Sequence, residues 1–484
     1  MNECARLYRR YWQVHNHKES DWMSAIVNAF GQLGENLTRF TERWIPDSWV
    51  VCMILTLIAM ILAMIGASAG LEEVVLAWGG GMWMLLELAM QFTLALIAAH
   101  ACVSSKPMFR FLDRLASIPN PNRPLQAIVL MGIYSIFTGY LNWALTIVAS
   151  AVFVPFVMRR NPKADIRLLI AGAYLGMGTV WHGGLSGSAP LILATPGNPL
   201  VSPSTGSPVI DRVYPITETL FIPFNLTYLV VVSIVGLGML MLLHPRKHPM
   251  TLSPEEIESR LPVLPNLDHS PATPAGKLEM FRGWVLLAAV LIAYPLGHSF
   301  VTKGFGAAWT INGYNMVFLT AALLLHGRPA SIVRAVQAGV GNAAGVIFQF
   351  PFYAGIFGVI NNTGLGDWLG QQFVSVASTS TYPLIVYLYS GLVNLFVPSG
   401  GSKWLIEAPY LLPAAQELGV SVTTTLLAYS YGDSTSNMIQ PFWAIPILAV
   451  ARLRFGDVVG YTFLIGAALF LTTVAAMLLI PTNL

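Results

Sequence analysis

Two stretches break their own helices in the same way. From Tyr174 to Leu200 an apolar run dissolves into Gly183, Gly184, Ser186, Gly187, Ser188 and Pro190, then closes on Pro196-Gly-Asn-Pro199. From Tyr429 to Ala444 an apolar run reaches Gly432, a cluster of hydroxyls and amides, and Pro441. Gly and Pro interrupt a helix and free backbone groups that lipid cannot satisfy. Such a segment is tolerated at membrane depth only where protein or a watery cavity surrounds it, so each break points to a site for a polar solute. Each follows an apolar segment with an Asn at its centre. Asn142 stands 48 positions before Pro190, and Asn394 stands 47 before Pro441. Matched interruptions in two halves of one chain point to a secondary transporter with internal repeats and its site where they meet.

Composition fits that setting. The chain of 484 residues is 55% hydrophobic and 10% charged, against about 25% charged in a soluble domain. One polytopic all-α membrane domain is expected to hold nearly all of it. The net charge of +3 reflects Lys and Arg gathered at one membrane face, with no nucleic-acid partner expected. Cys4, Cys52 and Cys102 have neither metal nor redox spacing, and their odd number argues against a disulfide framework. No cleavable signal peptide is expected, because a long basic tail leads into a full span.

Residues 1–44 read as a cytoplasmic amphipathic lead-in carrying Arg6, Arg9, Arg10, Lys18, Arg39 and Arg43 among Trp12, Trp22 and Trp44, with Met23 an alternative start. Residues 45–243 form a first membrane repeat, with a hairpin at 125–158 and a broken helix at 166–195. Residues 244–282 read as a cytoplasmic linker. Residues 283–484 supply a linking span and a second repeat, with a hairpin at 381–415 and a broken helix at 424–450. The first hairpin is either two short spans or re-entrant, and is read as re-entrant because each arm reaches only about 25 Å at 1.5 Å per residue, short of the hydrocarbon core; the second is read as a matching re-entrant hairpin that opens from outside. The links 71–81 and 361–380 contain no Lys or Arg and are expected to be external loops; 104–124 is expected to be a cytoplasmic one.

This drawing has nine spans and two hairpins. It puts every Lys and Arg on the cytoplasmic side except Arg212, Lys303 and Lys403. It also gives the two repeats opposite orientation, which the charge rule was never asked to produce. The N-terminus is then cytoplasmic and the C-terminus periplasmic.

Three stretches carry a family resemblance: HGGLSGSAPLILATPGNP (His182 to Pro199), VPSGGSKWLIEAPYLLPAA (Val397 to Ala415) and YGDSTSNMIQPFWAIP (Tyr431 to Pro446). From about Met23 onward the chain resembles the short-chain fatty acid transporter family, which includes bacterial acetoacetate and butyrate uptake proteins; the first 22 residues depart from it. That family is similar to a superfamily of ion-coupled carboxylate transporters. The resemblance implies an elevator-type transport domain of two re-entrant hairpins and two broken helices, a homodimer in the bacterial inner membrane, and cation-coupled symport of a small monocarboxylate.

A short carboxylate needs N–H and O–H donors for its charged end and an apolar wall for its tail. Asn142, His182, Gly184, Ser186, Gly187 and Ser188 in the first half, with Asn394, Ser399, Gly400, Gly401, Ser402, Ser436 and Asn437 in the second, are the candidate substrate ligands. Asp433, Ser434, Thr435, Asn142 and Asn394 are the candidates for ion coupling, with a proton or a sodium ion as the coupling species and no other cofactor. Lys403 has three candidate partners: the substrate, Asp433, or Glu407 one turn on. Glu87 and His100 read as structural. Two rivals stand beside the transporter: an uncoupled facilitator, and a membrane-embedded serine hydrolase built on His182 and Asp433. Against the hydrolase, Gly184-Leu-Ser-Gly-Ser188 lacks the final Gly of a nucleophile elbow, so no enzymatic activity is expected.

Overall fold

A computed structural model describes residues 43, 46, 48–202, 208–244, 249–261, 273–440 and 442–484. The amphipathic lead-in up to residue 42, Trp44, Cys4 and Pro441 lie outside the described residues. Among the described residues there is helix and no strand, and eight helices are long and apolar enough to cross a membrane. The protein is an all-helical multi-pass membrane protein.

Burial separates two kinds of helix. Ser48–Gly66 (α1), Pro223–Leu242 (α9) and Arg282–Ala308 (α10) expose Leu57, Ile65, Val230, Ile234, Val290 and Leu291. Exposed apolar faces of that size belong against lipid. The polar, interrupted helices are almost wholly buried.

Pro124–Leu141 (α5) and Trp143–Arg160 (α6) are joined by Asn142 alone, whose extended backbone (φ −160°) turns the chain back. Thr146 Oγ1 then donates to Ser135 O at 2.9 Å, and the Tyr134 and Phe153 rings lie 4.5 Å apart across the hairpin. Asp165 caps Ile166–Thr179 (α7) by accepting the N–H groups of Arg167 and Leu168. That helix ends at the glycine-rich break, and Ser188–Ala194 (α8) resumes after it. The second unit repeats the order. Tyr382–Asn394 (α14) and Gly400–Glu417 (α15) form a hairpin; Val422–Ser436 (α16) runs into a 3-10 turn at Asn437–Ile439, and Ile445–Ala451 (α17) follows.

Small residues let each hairpin approach its broken helix. A Cβ on Gly176 would overlap Ser135 O, one on Gly139 would lie 3.1 Å from Gly176 Cα, and one on Gly432 would overlap Tyr387 O.

Three expected loops contain helix. Leu71–Gly81 (α2) starts with Glu72 and Glu73, favourable charges at a helix N-terminus, and Glu73 accepts the Gly70 N–H at 3.3 Å. Its Gly81 is needed for packing: a Cβ there would lie 2.6 Å from Ala354 O and 2.8 Å from Gly358 Cα of Pro329–Asn362 (α12). Leu86–Val103 (α3) follows α2. The link after α3 carries Lys106–Ala116 (α4), whose Asp113 receives Arg160 at 2.5 Å and Arg159 at 2.7 Å. Ile311–His326 (α11) precedes α12, and Leu365–Val376 (α13) lies within the stretch read as a loop at 361–380. The described part of the linker at 244–282 packs back on the bundle: the Met250 N–H donates to Asp165 at 2.8 Å, and Arg260 Nε to Ala451 O at 3.2 Å. Phe455–Leu479 (α18) completes the described chain's helices.

Candidate functional site

Each hairpin tip is fastened to the break that follows it. In the first unit the Trp143 N–H donates to Ser186 Oγ at 2.8 Å, and the Leu185 N–H donates to Tyr140 O at 2.8 Å. Gly184 allows that contact, because a Cβ would lie 2.6 Å from Tyr140 O; Gly187 likewise leaves room for His182 O. Asn142 Oδ1 caps α6 through the Leu145 N–H at 2.9 Å. In the second unit Asn394 Nδ2 lies 3.0 Å from Asp433 O, 2.9 Å from Ser436 Oγ and 2.8 Å from Asn437 Oδ1. Gln440 Nε2 returns to Asn394 O at 3.3 Å.

The two units then meet. Asn437 Nδ2 donates to Met177 O at 3.2 Å, and Tyr174 OH to Gln440 O at 3.2 Å. At the centre His182 Nδ1 lies 3.0 Å from Asp433 Oδ2, joining the first break to the second. Lys403 Nζ enters from the second hairpin and lies 3.2 Å from Asp433 Oδ1, off the hydrogen-bonding direction. It donates to Ser390 Oγ at 2.7 Å and to Ser390 O at 3.0 Å, and lies 4.2 Å from the Tyr429 ring centre. All three charged or polar groups are buried to within 1%.

The hydrogen bonds fix the histidine tautomer. The Ala189 N–H donates to His182 Nε2 at 3.1 Å, so that nitrogen carries a lone pair. Nδ1 therefore holds the proton and donates it to Asp433. Imidazole Nε2, the atom that would take a proton from a serine nucleophile, is already occupied by a backbone amide. Trp181 stacks on His182 at 4.2 Å, and a Cβ on Gly400 would lie 2.6 Å from Trp181 and 2.7 Å from His182. Tyr429 OH anchors this helix start by donating to Gly400 O at 2.7 Å.

The structure thus brings Asn142, His182, Gly184, Ser186, Gly187, Asn394, Gly400, Asp433, Ser436 and Asn437 into one contiguous hub. Gly401 joins it too, since a Cβ there would touch Ser188 Cβ at 3.4 Å. Several hydroxyls and amides are used to hold the fold: Ser186, Asn394 and Ser436 as above, and Thr435 Oγ1 donates to Tyr431 O. Ser399 lies at the start of α15, where its carbonyl receives the Lys403 N–H. Other buried polar atoms have no protein partner, namely Asn142 Nδ2, Ser402 Oγ, Ser434 Oγ and the ring nitrogens of Trp181 and Trp404. Buried polar atoms normally have partners, so each of these donors is free to meet a ligand or water. Lys403 pairs with Asp433 and not with Glu407. Ser390, Trp181 and Tyr429 were not singled out in the sequence, although Trp181 and Tyr429 lie within the two broken stretches.

A cavity of about 310 Å³ adjoins the second break, lined by Tyr387, Gly391, Gly432, Thr435, Ser436 and Phe470 among others. Asp433 does not line it. The Thr435 and Ser436 hydroxyls donate to carbonyls, so its wall is mainly apolar. Among the described residues no group of three or more His, Cys, Asp or Glu is placed to hold a metal ion.

A family model described as short chain fatty acid transporter matches residues 29–480. Two curated relatives are each named "Putative short-chain fatty acid transporter". The one from Escherichia coli (strain K12) is 36% identical over 452 residues, covering 91% of this chain and 100% of the relative. The one from Haemophilus influenzae is 34% identical over 427 residues, covering 88% and 94%. The crystal structure of the Alcanivorax borkumensis YdaH transporter has a similar fold, with a TM-score of 0.56 at 16% identity over 90% of this chain and 98% of that one.

Proposed function

Because the chain belongs to the short-chain fatty acid transporter family, we propose that it is a cation-coupled symporter of short-chain fatty acids such as acetoacetate and butyrate. It works inward across a bacterial inner membrane, with a proton or a sodium ion as the driving species. The observation that carries this reading is the His182–Asp433 contact at 3.0 Å, where the two broken helices meet in a fully buried polar hub. Ionisable groups at membrane depth are costly and mark solute or ion paths.

In this reading residues 45–243 and 283–484 hold inverted repeats, the hairpins are re-entrant, and the hub rides in an elevator-type domain of a homodimer. The N-terminus is cytoplasmic and the C-terminus periplasmic. The unpartnered donors of Asn142, Ser402 and Ser434 receive the substrate carboxylate near Lys403, and apolar walls take the short tail. The Lys403–Asp433 pair keeps the hub neutral while it is empty, and the arriving anion shifts that balance, which is how an accompanying cation becomes necessary.

The test is uptake of labelled acetoacetate and butyrate into proteoliposomes with sodium and proton gradients imposed separately. Saturable uptake that collapses when one gradient is removed is expected. Flux that ignores both gradients and shows no counterflow would make the protein a facilitator. The hydrolase is disfavoured by the Ala189 N–H on His182 Nε2.

A further inference from the structure

Glu407 is buried to 1%, and neither of its carboxyl oxygens has a hydrogen-bond partner. It lies one turn after Lys403 on α15. The titratable groups that face it are Lys403 and Tyr410 on its own helix, Asp433 and Tyr429 on α16, and Tyr389 on α14. Tyr389 and Tyr410 are occupied with each other, their hydroxyls 2.8 Å apart.

The charges of the hub can be counted from its hydrogen bonds. His182 is neutral, because Nε2 accepts the Ala189 N–H. Lys403 is a cation with two Ser390 acceptors and the Tyr429 ring, and Asp433 is its counter-ion. These two cancel. An ionised Glu407 would therefore be a surplus charge with no donor on either oxygen, and such a buried charge costs several kcal/mol in general. A carboxyl so placed takes a proton instead.

We infer that Glu407 carries the coupling proton, while Asp433 stays ionised between Lys403 and His182. This deepens the proposed function and rests on it. With Glu407 protonated, Lys403 has attraction left for an incoming carboxylate, and anion and proton cross as a neutral pair. On the far side the Glu407 O–H bond breaks and its proton passes to water. The new carboxylate then competes for Lys403 and repels the substrate, which leaves.

The experiment compares wild type with Glu407→Gln, which has the shape of the protonated acid. Proteoliposomes hold butyrate at a pH where it is almost wholly the anion, and leakage into protein-free vesicles is subtracted. Counterflow needs no proton release, whereas net efflux does. Glu407→Gln is expected to keep counterflow within about twofold and to lose net efflux by about tenfold or more, a change of about 1.4 kcal/mol in barrier. The infrared spectrum of wild type at neutral pH should show a buried carboxylic-acid carbonyl band that is sensitive to deuterium exchange. The band should vanish in Glu407→Gln and survive in Asp433→Asn. Net efflux in Glu407→Gln equal to wild type overturns the inference, as does a wild-type spectrum without the band, a reading that needs no variant to fold. Wild-type counterflow that runs while only a sodium gradient drives accumulation overturns the Glu407 role and leaves transport standing. No wild-type counterflow at all sinks both.

Discussion

The Lys403–Asp433 pair gives an ordered prediction for three variants. Lys403→Met fills the space of the lysine stem but leaves Asp433 ionised, fully buried and served by His182 alone. Removing one partner of a buried pair costs about 3–5 kcal/mol. Asp433→Asn is milder, because Lys403 keeps both Ser390 oxygens at 2.7 and 3.0 Å and the Tyr429 ring at 4.2 Å. Hydrogen bonds to a charged group are worth about 1.5–3 kcal/mol, so most of the ammonium's environment survives. The double variant contains no surplus charge, and the amide oxygen introduced by Asp433→Asn still accepts from His182. It should recover about 2 kcal/mol relative to Lys403→Met alone. Thermal melting of all four proteins in one detergent should therefore rank wild type first, Asp433→Asn and the double variant between, and Lys403→Met last. A double variant that melts as low as the two single losses added together would refute the pairing, since independent sites add and coupled ones do not. Uptake should fall in all three.

Ser186→Ala removes the acceptor of the buried Trp143 N–H; an unsatisfied buried donor costs about 1–3 kcal/mol, so melting should drop while Ser186→Thr restores much of it. Gly176→Ala places a methyl on Ser135 O. The helix-propensity gain of about 1 kcal/mol is outweighed by overpacking of about 1–3 kcal/mol, so yield and melting should fall, whereas exposed Gly238, with nothing within 4 Å of a Cβ, should accept Ala. Asp113 is held below the usual carboxylate range, first by its hydrogen bond to Arg160; burial, the next-largest effect, opposes this, and the Arg159 hydrogen bond adds to the lowering. Its contribution is present above the unfolded carboxylate value of 3.8 and lost as pH falls through the lowered one. Wild type should lose more melting temperature than Asp113→Asn when the pH is brought down through that window.

Pro190 falls in the first turn of α8 and Gly432 inside α16, so neither marks its break; Gly183-Gly184, just past the end of α7, was legible as an interruption because glycine acts locally. The partners of the polar side chains were not. Spacing alone favours Lys403 with Glu407 at i, i+4, yet the fold delivers Asp433 from another helix and leaves Glu407 without a donor. Ser186 has the composition of a ligand, but its hydroxyl holds a hairpin backbone. The glycines of 79–81 read as a loop because sequence cannot tell a turn glycine from one that admits a neighbouring helix; Gly81 is the second kind. His182 next to two glycines gave no clue to its tautomer, which depends on the amide of Ala189 seven residues later.

The sewing of Trp143 and Leu185 across the first unit has a mechanical result. A trapdoor needs one free lip, and here both threads join main chain to the neighbouring rod within three residues of the bend. Prising that lip up would strand two buried amides at once. On the elevator reading proposed above, the stitched block would move as one piece and both amides would keep their partners.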